Sequence, residues 1–154
     1  MSIFLADEQT ESLGLGALHS LAELIMRDEG YPDDVEVTLL FINEDEMASY
    51  NEKFLNRPGP TDVLAFPVED LLPGVVPDRD PHGPPLMLGD VVIAPAYVRR
   101  QAIEFGVSFE DEMSLMITHG ILHLLGYDHE EEEDAQRMEA RERRLLAKVG
   151  RERR

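Results

Sequence analysis

Apolar and polar residues recur along this chain at two different periods, and the switches between them mark out nine elements. "SIFLAD" (Ser2 to Asp7) predicts a short first strand. In "SLGLGALHSLAELIMRDEG", Leu18, Leu21, Ala22 and Ile25 fall at helical spacing, and Gly30 stands where that helix stops. "DVEVTLLFI" (Asp34 to Ile42) is rich in β-branched residues and predicts a strand. Asn43 then caps a helix, "EDEMASYNEKFL", with acids in the first turn where the helix dipole favours them. "NRPGPT" (Asn56 to Thr61) is a turn cluster, and "DVLAFP" a third strand ended by Pro67. Residues 67–88 hold six prolines and read as one long irregular loop, an insertion by its length. "LGDVVIAP" (Leu88 to Pro95) is a fourth strand, and "AYVRRQAIEFG" a helix stopped by Gly106.

Ser108 opens the longest apolar stretch, with Asp111 three residues on as a weak capping box. Its apolar residues, from Met113 to Leu125, cover more than one face, so this is a buried central helix. A last helix starts near the acid run Glu130 to Asp134, a solvated helix start, and packs through Met138, Leu145, Leu146 and Val149. No repeat and no linker interrupts the pattern. One domain over 1–150 is expected, with 151–154 as a frayed tail.

Composition changes this picture in two ways. Thirty-two acids against fourteen bases give a net charge of -18, which argues against broad non-specific binding to nucleic acid. There is no cysteine, which removes disulfides, thiolate zinc sites and a cysteine nucleophile. The N-terminus lacks the basic and apolar regions of a signal peptide, and no apolar run approaches the ~18 residues of a membrane span. A soluble cytoplasmic protein is expected.

Three of the five histidines lie within "THGILHLLGYDH" (Thr118 to His129). His119 and His123 are four apart and share a helix face. Gly126 is placed as the left-handed residue that ends the helix, so the turn through Tyr127 and Asp128 can return His129 to the first two rings. Three neutral imidazoles suit Zn²⁺ and leave a fourth position for water, the catalytic arrangement. The spacing H-x-x-x-H-x-x-G-x-x-H is that of the metzincins, but the glutamate that serves metallopeptidases as base is Gly120 here. Spacing alone therefore indicates a metal hydrolase, with the peptidase reading short of its base. Glu112, one heptad before His119, is a candidate to support the histidines. His19 and His82 stand alone and are expected to be packed or solvated.

"HGILHLLGYDH", "GPTDVLAFP" (Gly59 to Pro67) and "LGDVVIAP", in this order and spacing, resemble the three blocks of the YbeY-type endoribonucleases, or rRNA maturation factors. The resemblance covers most of the chain. It implies an α+β fold: a single domain with a small mixed four-stranded sheet packed on helices, the central helix carrying the HxxxH of a zincin-like site. It implies one zinc per chain on His119, His123 and His129. It implies a single-strand-specific endoribonuclease of 16S rRNA 3′-end maturation and ribosome quality control, with ribosomal small-subunit components as partners and no membrane.

This chain departs from the family pattern twice. An arginine tied to activity, four residues after the asparagine matching Asn51, is Leu55 here, and a serine of the second block is Ala65. Arg57 is the candidate replacement in the catalytic role. Lys53, Arg57, Arg99 and Arg100 are the candidate substrate-binding cations, while the bases from Arg137 to Arg154 read as ordinary surface pairs. Two alternatives stand beside this reading: a metal-containing, non-catalytic ribosome assembly factor, and a metallopeptidase with its base elsewhere.

Overall fold

Four strands and five helices form where the two periods place them, in a computed structural model that describes residues 1–154. Strands β1 (Ser2–Glu8), β2 (Val35–Ile42), β3 (Val63–Pro67) and β4 (Leu86–Ile93) make one mixed sheet in the order β1-β2-β4-β3. β1 and β4 run parallel to β2, and β3 runs antiparallel to β4, so β3 is an edge. The helices are α1 (Leu15–Asp28), α2 (Glu44–Leu55), α3 (Pro95–Phe105), α4 (Phe109–Leu124) and α5 (Glu132–Ala147). The chain is thus a single α+β domain, as expected.

Local chemistry sets the element ends. Asn43 and Ser108 accept from the backbone N–H groups of Glu46 and Asp111, capping α2 and α4. Pro95 opens α3 at a position where its missing N–H costs nothing, and Gly106, at φ 69°, closes it. α1 begins at Leu15, one turn before the first of its periodic apolar residues, Leu18.

α4 is the axis of the core. Eleven of its sixteen residues are buried, so its apolar surface is used on several sides at once. It packs on β3 and β4 of the sheet and on α1 and α5, in one core cluster that includes Val91, Ile93, Ile25, Met26, Leu145 and Leu146. Gly120 permits the approach to the sheet, since a Cβ there would overlap Val91 Cγ1 on β4. That is the reason for glycine where metallopeptidases place a glutamate. On the other face of the sheet α2 covers only one end, where Met47 packs with Ile42, Leu64, Val92 and Ala94.

Of two expectations about irregular segments, the long loop holds and the frayed tail changes. Residues 68–85 carry no helix or strand beyond a Leu72–Val75 bridge. Yet Leu71 and Val76 pack on the main core, Arg79 pairs with Asp34, and the Pro73 carbonyl accepts from Arg137. Residues 151–154 form no element, but they are not a loose tail. Arg151, Arg153 and Arg154 pair with Asp111, Glu142 and Glu112. Glu112 and Glu142 are each only 1% exposed, so these are not ordinary surface pairs. Arginines are drawn to them because a buried carboxylate without a partner is costly.

Candidate metal centre

His119 and His123 project from the same face of α4, and their Nε2 atoms are 3.1 Å apart. The helix ends at Leu124, with Leu125 as its cap. Gly126, at φ 100°, reverses the chain, and the turn brings His129 back. The His129 ring centroid lies 5.4 Å from that of His119 and 5.1 Å from that of His123. One ligand nitrogen from each ring falls within 4.8 Å of the other two. The three histidines that sequence spacing groups are brought together.

Each ring has its own surroundings. His119 Nδ1 is 2.9 Å from Glu142 Oε2 on α5. Ionised, that carboxylate only accepts, so Nδ1 carries the proton and the Nε2 lone pair faces the other rings. Burial works to raise the Glu142 pKa, but hydrogen bonds and charge from His119 and Arg153 prevail and hold it below the usual range. Burial, then the neighbouring His119 and His129, push the His123 pKa down to about 4. A neutral imidazole is the ligand form. His129 is exposed, so the group opens to solvent on its side.

The rings line a cavity of about 760 Å³ whose wall includes the edge strand β3 and the end of α2. Arg57, Arg153 and Arg154 line it, against two carboxylates, Asp62 and Glu142. Arg153 and Arg154 are taken up by Glu142 and Glu112, which leaves Arg57 as the arginine of the wall without an ion pair. Asn51 donates to the Gly59 carbonyl at 2.9 Å and fixes the turn that carries Arg57. Leu55 and Ala65, the two departures from the family pattern, also line this cavity.

The remaining candidates lie elsewhere. Arg99 pairs with Glu11 and stacks over Phe109, and Arg100 pairs with Glu44. Lys53 sits over the Phe54 ring, outside the cavity wall. Glu112 accepts from Gln101 and Arg154 rather than from a histidine. His19 pairs with Glu23 on α1, and His82 is exposed in the loop. Glu142, Arg153 and Arg154 were missed. Their one sequence signal is an acid–base alternation near the end of the chain that looks like any helix surface.

The donor set fits a zinc ion. Three imidazole nitrogens converge, and one ring is oriented by a carboxylate behind it, the usual outer support of a metal-binding histidine. No fourth histidine, aspartate or glutamate joins the group.

Comparison with known proteins agrees with the geometry. The family described as endoribonuclease YbeY matches residues 6–150. A protein named endoribonuclease YbeY from Thermobifida fusca is 42% identical over 147 residues, spanning 96% of this chain and 93% of that one. One of the same name from Acidothermus cellulolyticus is 40% identical over 147 residues, spanning 95% and 90%. The solution structure of a Thermotoga maritima protein superposes with a TM-score of 0.61 at 29% identity, covering 96% of this chain and 91% of that one.

Proposed function

The chain belongs to the YbeY endoribonuclease family, and from that premise we propose that it cuts single-stranded RNA with one zinc ion per chain. Its place would be 16S rRNA 3′-end maturation and ribosome quality control in the cytoplasm, beside small-subunit components. The observation that carries the reading is the convergence of three imidazole nitrogens in a cavity whose wall carries Arg57.

His119, His123 and His129 would hold the ion. Bound zinc supplies Lewis acidity toward a phosphoryl oxygen and lowers the pKa of water. Glu142 keeps the proton on His119 Nδ1, so that Nε2 stays free as a donor atom. Arg57, at the cavity wall, takes the phosphate-binding role left open by Leu55, while Arg153 and Arg154 on the same wall are held by Glu142 and Glu112. Guanidinium groups suit this because their planar fork matches phosphate geometry.

Neither alternative gains support. A peptidase would need a base from elsewhere, and both carboxylates of the cavity wall are engaged, Glu142 by His119 and Arg153, Asp62 by the Val63 N–H and Gln101. A structural zinc site closes with four protein ligands, whereas three groups converge here.

The test is metal analysis of the purified chain, followed by incubation with single-stranded RNA with and without chelator. About one zinc per chain is expected, with cleavage that chelator abolishes. His123→Ala should lose stoichiometric zinc, and His119→Ala should lose cleavage. Cleavage that survives in His119→Ala would assign the activity to a contaminant. In cells, depletion should lengthen the 3′ end of 16S rRNA; an unchanged end would remove the rRNA assignment.

A further inference from the structure

The sheet face turned away from α4 is only partly covered, and its open part adjoins the histidine cavity. Phe4, Thr38, Asp90 and Phe66 are successive cross-strand partners, so they form one row over all four strands on that face. Phe66 ends the row and lines two spaces at once: the histidine cavity and a second groove of about 380 Å³. Phe54 of α2 borders that groove, its ring centroid 5.3 Å from that of Phe66 and 5.6 Å from that of Tyr50. Despite these neighbours Phe54 is 52% exposed. Asp90, in the same groove, is exposed and makes no side-chain hydrogen bond or ion pair.

We propose that this groove is a nucleobase subsite: an unpaired base of the RNA stacks on the exposed Phe54 ring, Phe66 borders it at a steep angle, and Asp90 accepts from its exocyclic amine. The proposal rests on the RNA-cleaving reading above. Its chemistry follows from what the groove offers. An unpaired carboxylate repels a phosphate but accepts from the amine of cytosine, adenine or guanine. Aromatic faces bind any base by stacking, which does not depend on net charge. On a chain of charge -18, phosphate contacts alone give weak, salt-sensitive binding, so stacking has more of the affinity to supply. A lysine or arginine side chain of a protein partner would also suit an aromatic face beside an acid. Continuity with the cavity through Phe66 favours the RNA strand, because a strand lying over the histidines reaches the groove around β3.

The experiment uses the zinc-loaded full chain and labelled ten-nucleotide 2′-O-methyl strands, which present no 2′-hydroxyl nucleophile. Binding is read by fluorescence anisotropy. Oligocytidylate should bind about fivefold more tightly than oligouridylate, the worth of one hydrogen bond. Phe54→Ala should weaken oligocytidylate binding about tenfold, and Phe54→Trp should restore it. Asp90→Ala should erase the difference between the two pyrimidines. Equal binding of the two strands by the unmodified chain, an unaffected Phe54→Ala, or no rescue by tryptophan would overturn the proposal. So would a lysine-rich peptide whose binding needs Phe54 while RNA binding does not. Base-selective binding without cleavage of unmodified RNA would remove the enzymatic reading and leave the subsite. Cleavage with no base selectivity would do the reverse.

Discussion

Glu142 Oε2 and His119 Nδ1 lie 2.9 Å apart although 23 residues separate them in the chain. The contact joins α5 to α4, and it does so at the first histidine of the cluster. The other Glu142 oxygen accepts from Arg153 Nε at 3.0 Å, so both carboxylate oxygens are engaged. A helix that could have served packing alone thereby fixes the tautomer of a ring in the candidate metal centre.

Replacing this carboxylate should loosen zinc without removing it. Supporting groups behind a ligand are worth about 10–100-fold in metal affinity. Glu142→Gln keeps an acceptor for Nδ1–H but loses the charge and is expected near the lower limit. Glu142→Ala also removes the nearer of the two carboxylates that hold Arg153, so it should bind more weakly still and melt lower. Competition against a chelator of known affinity measures both variants; wild-type affinity in Glu142→Ala would contradict the assignment.

Arg57→Ala is expected to lower RNA cleavage about 10-fold or more while zinc content stays at the wild-type value, because the side chain lines the cavity but is not a ligand. Single-turnover cleavage and metal analysis on the same preparation separate the two effects. Undiminished cleavage would leave the phosphate to Arg153 and Arg154.

The metal-free chain should lose stability as the pH falls. Folded, His123 is held near pKa 4, chiefly by burial and then by the two neighbouring rings. Unfolded, a histidine protonates near pH 6.5. Between about pH 6.5 and 4 the unfolded chain therefore binds a proton that the folded chain refuses, which favours unfolding. Glu142 acts in the same direction at lower pH, since its depressed pKa gives stability that is lost as the pH drops toward the folded value. Thermal midpoints measured across this range should decline, and His123→Ala should flatten the upper part of the decline. An equally steep profile in that variant would locate the effect elsewhere.

Gly120→Ala tests the approach of α4 to the sheet. Alanine gains up to about 1 kcal/mol of helix propensity, but its methyl group meets Val91, and overpacking costs about 1–3 kcal/mol. Net destabilisation in urea is expected, with Val91→Ala in the same chain restoring part of it. A stabilised single variant would show that the helix and strand can part without penalty.

The histidine cluster was legible in the sequence because it is local: two residues on one helix face, a glycine able to adopt positive φ, and a third residue one turn later. The strands and helices were legible for the same reason, with Asn43 and Ser108 acting as the caps they resemble. What was not legible is long-range pairing. Glu112 and Glu142 differ little on paper, yet Glu112 faces Gln101 and Arg154 while Glu142 faces His119. Arg99 and Arg100 are as basic as Arg57, but their nearest acids, Glu11 and Glu44, come from elements that only folding brings close. The basic residues at 153 and 154 reach the cavity by the same route.

Gly126 ties two parts of the molecule together. Its Cα lies so close to the Leu71 backbone that a side chain at 126 would collide with the Leu71 carbonyl. The proline-rich segment is thus wedged under the bend that delivers His129. A family member with a shorter or longer version of that segment must rebuild the wedge, or its third imidazole loses the support that aims it.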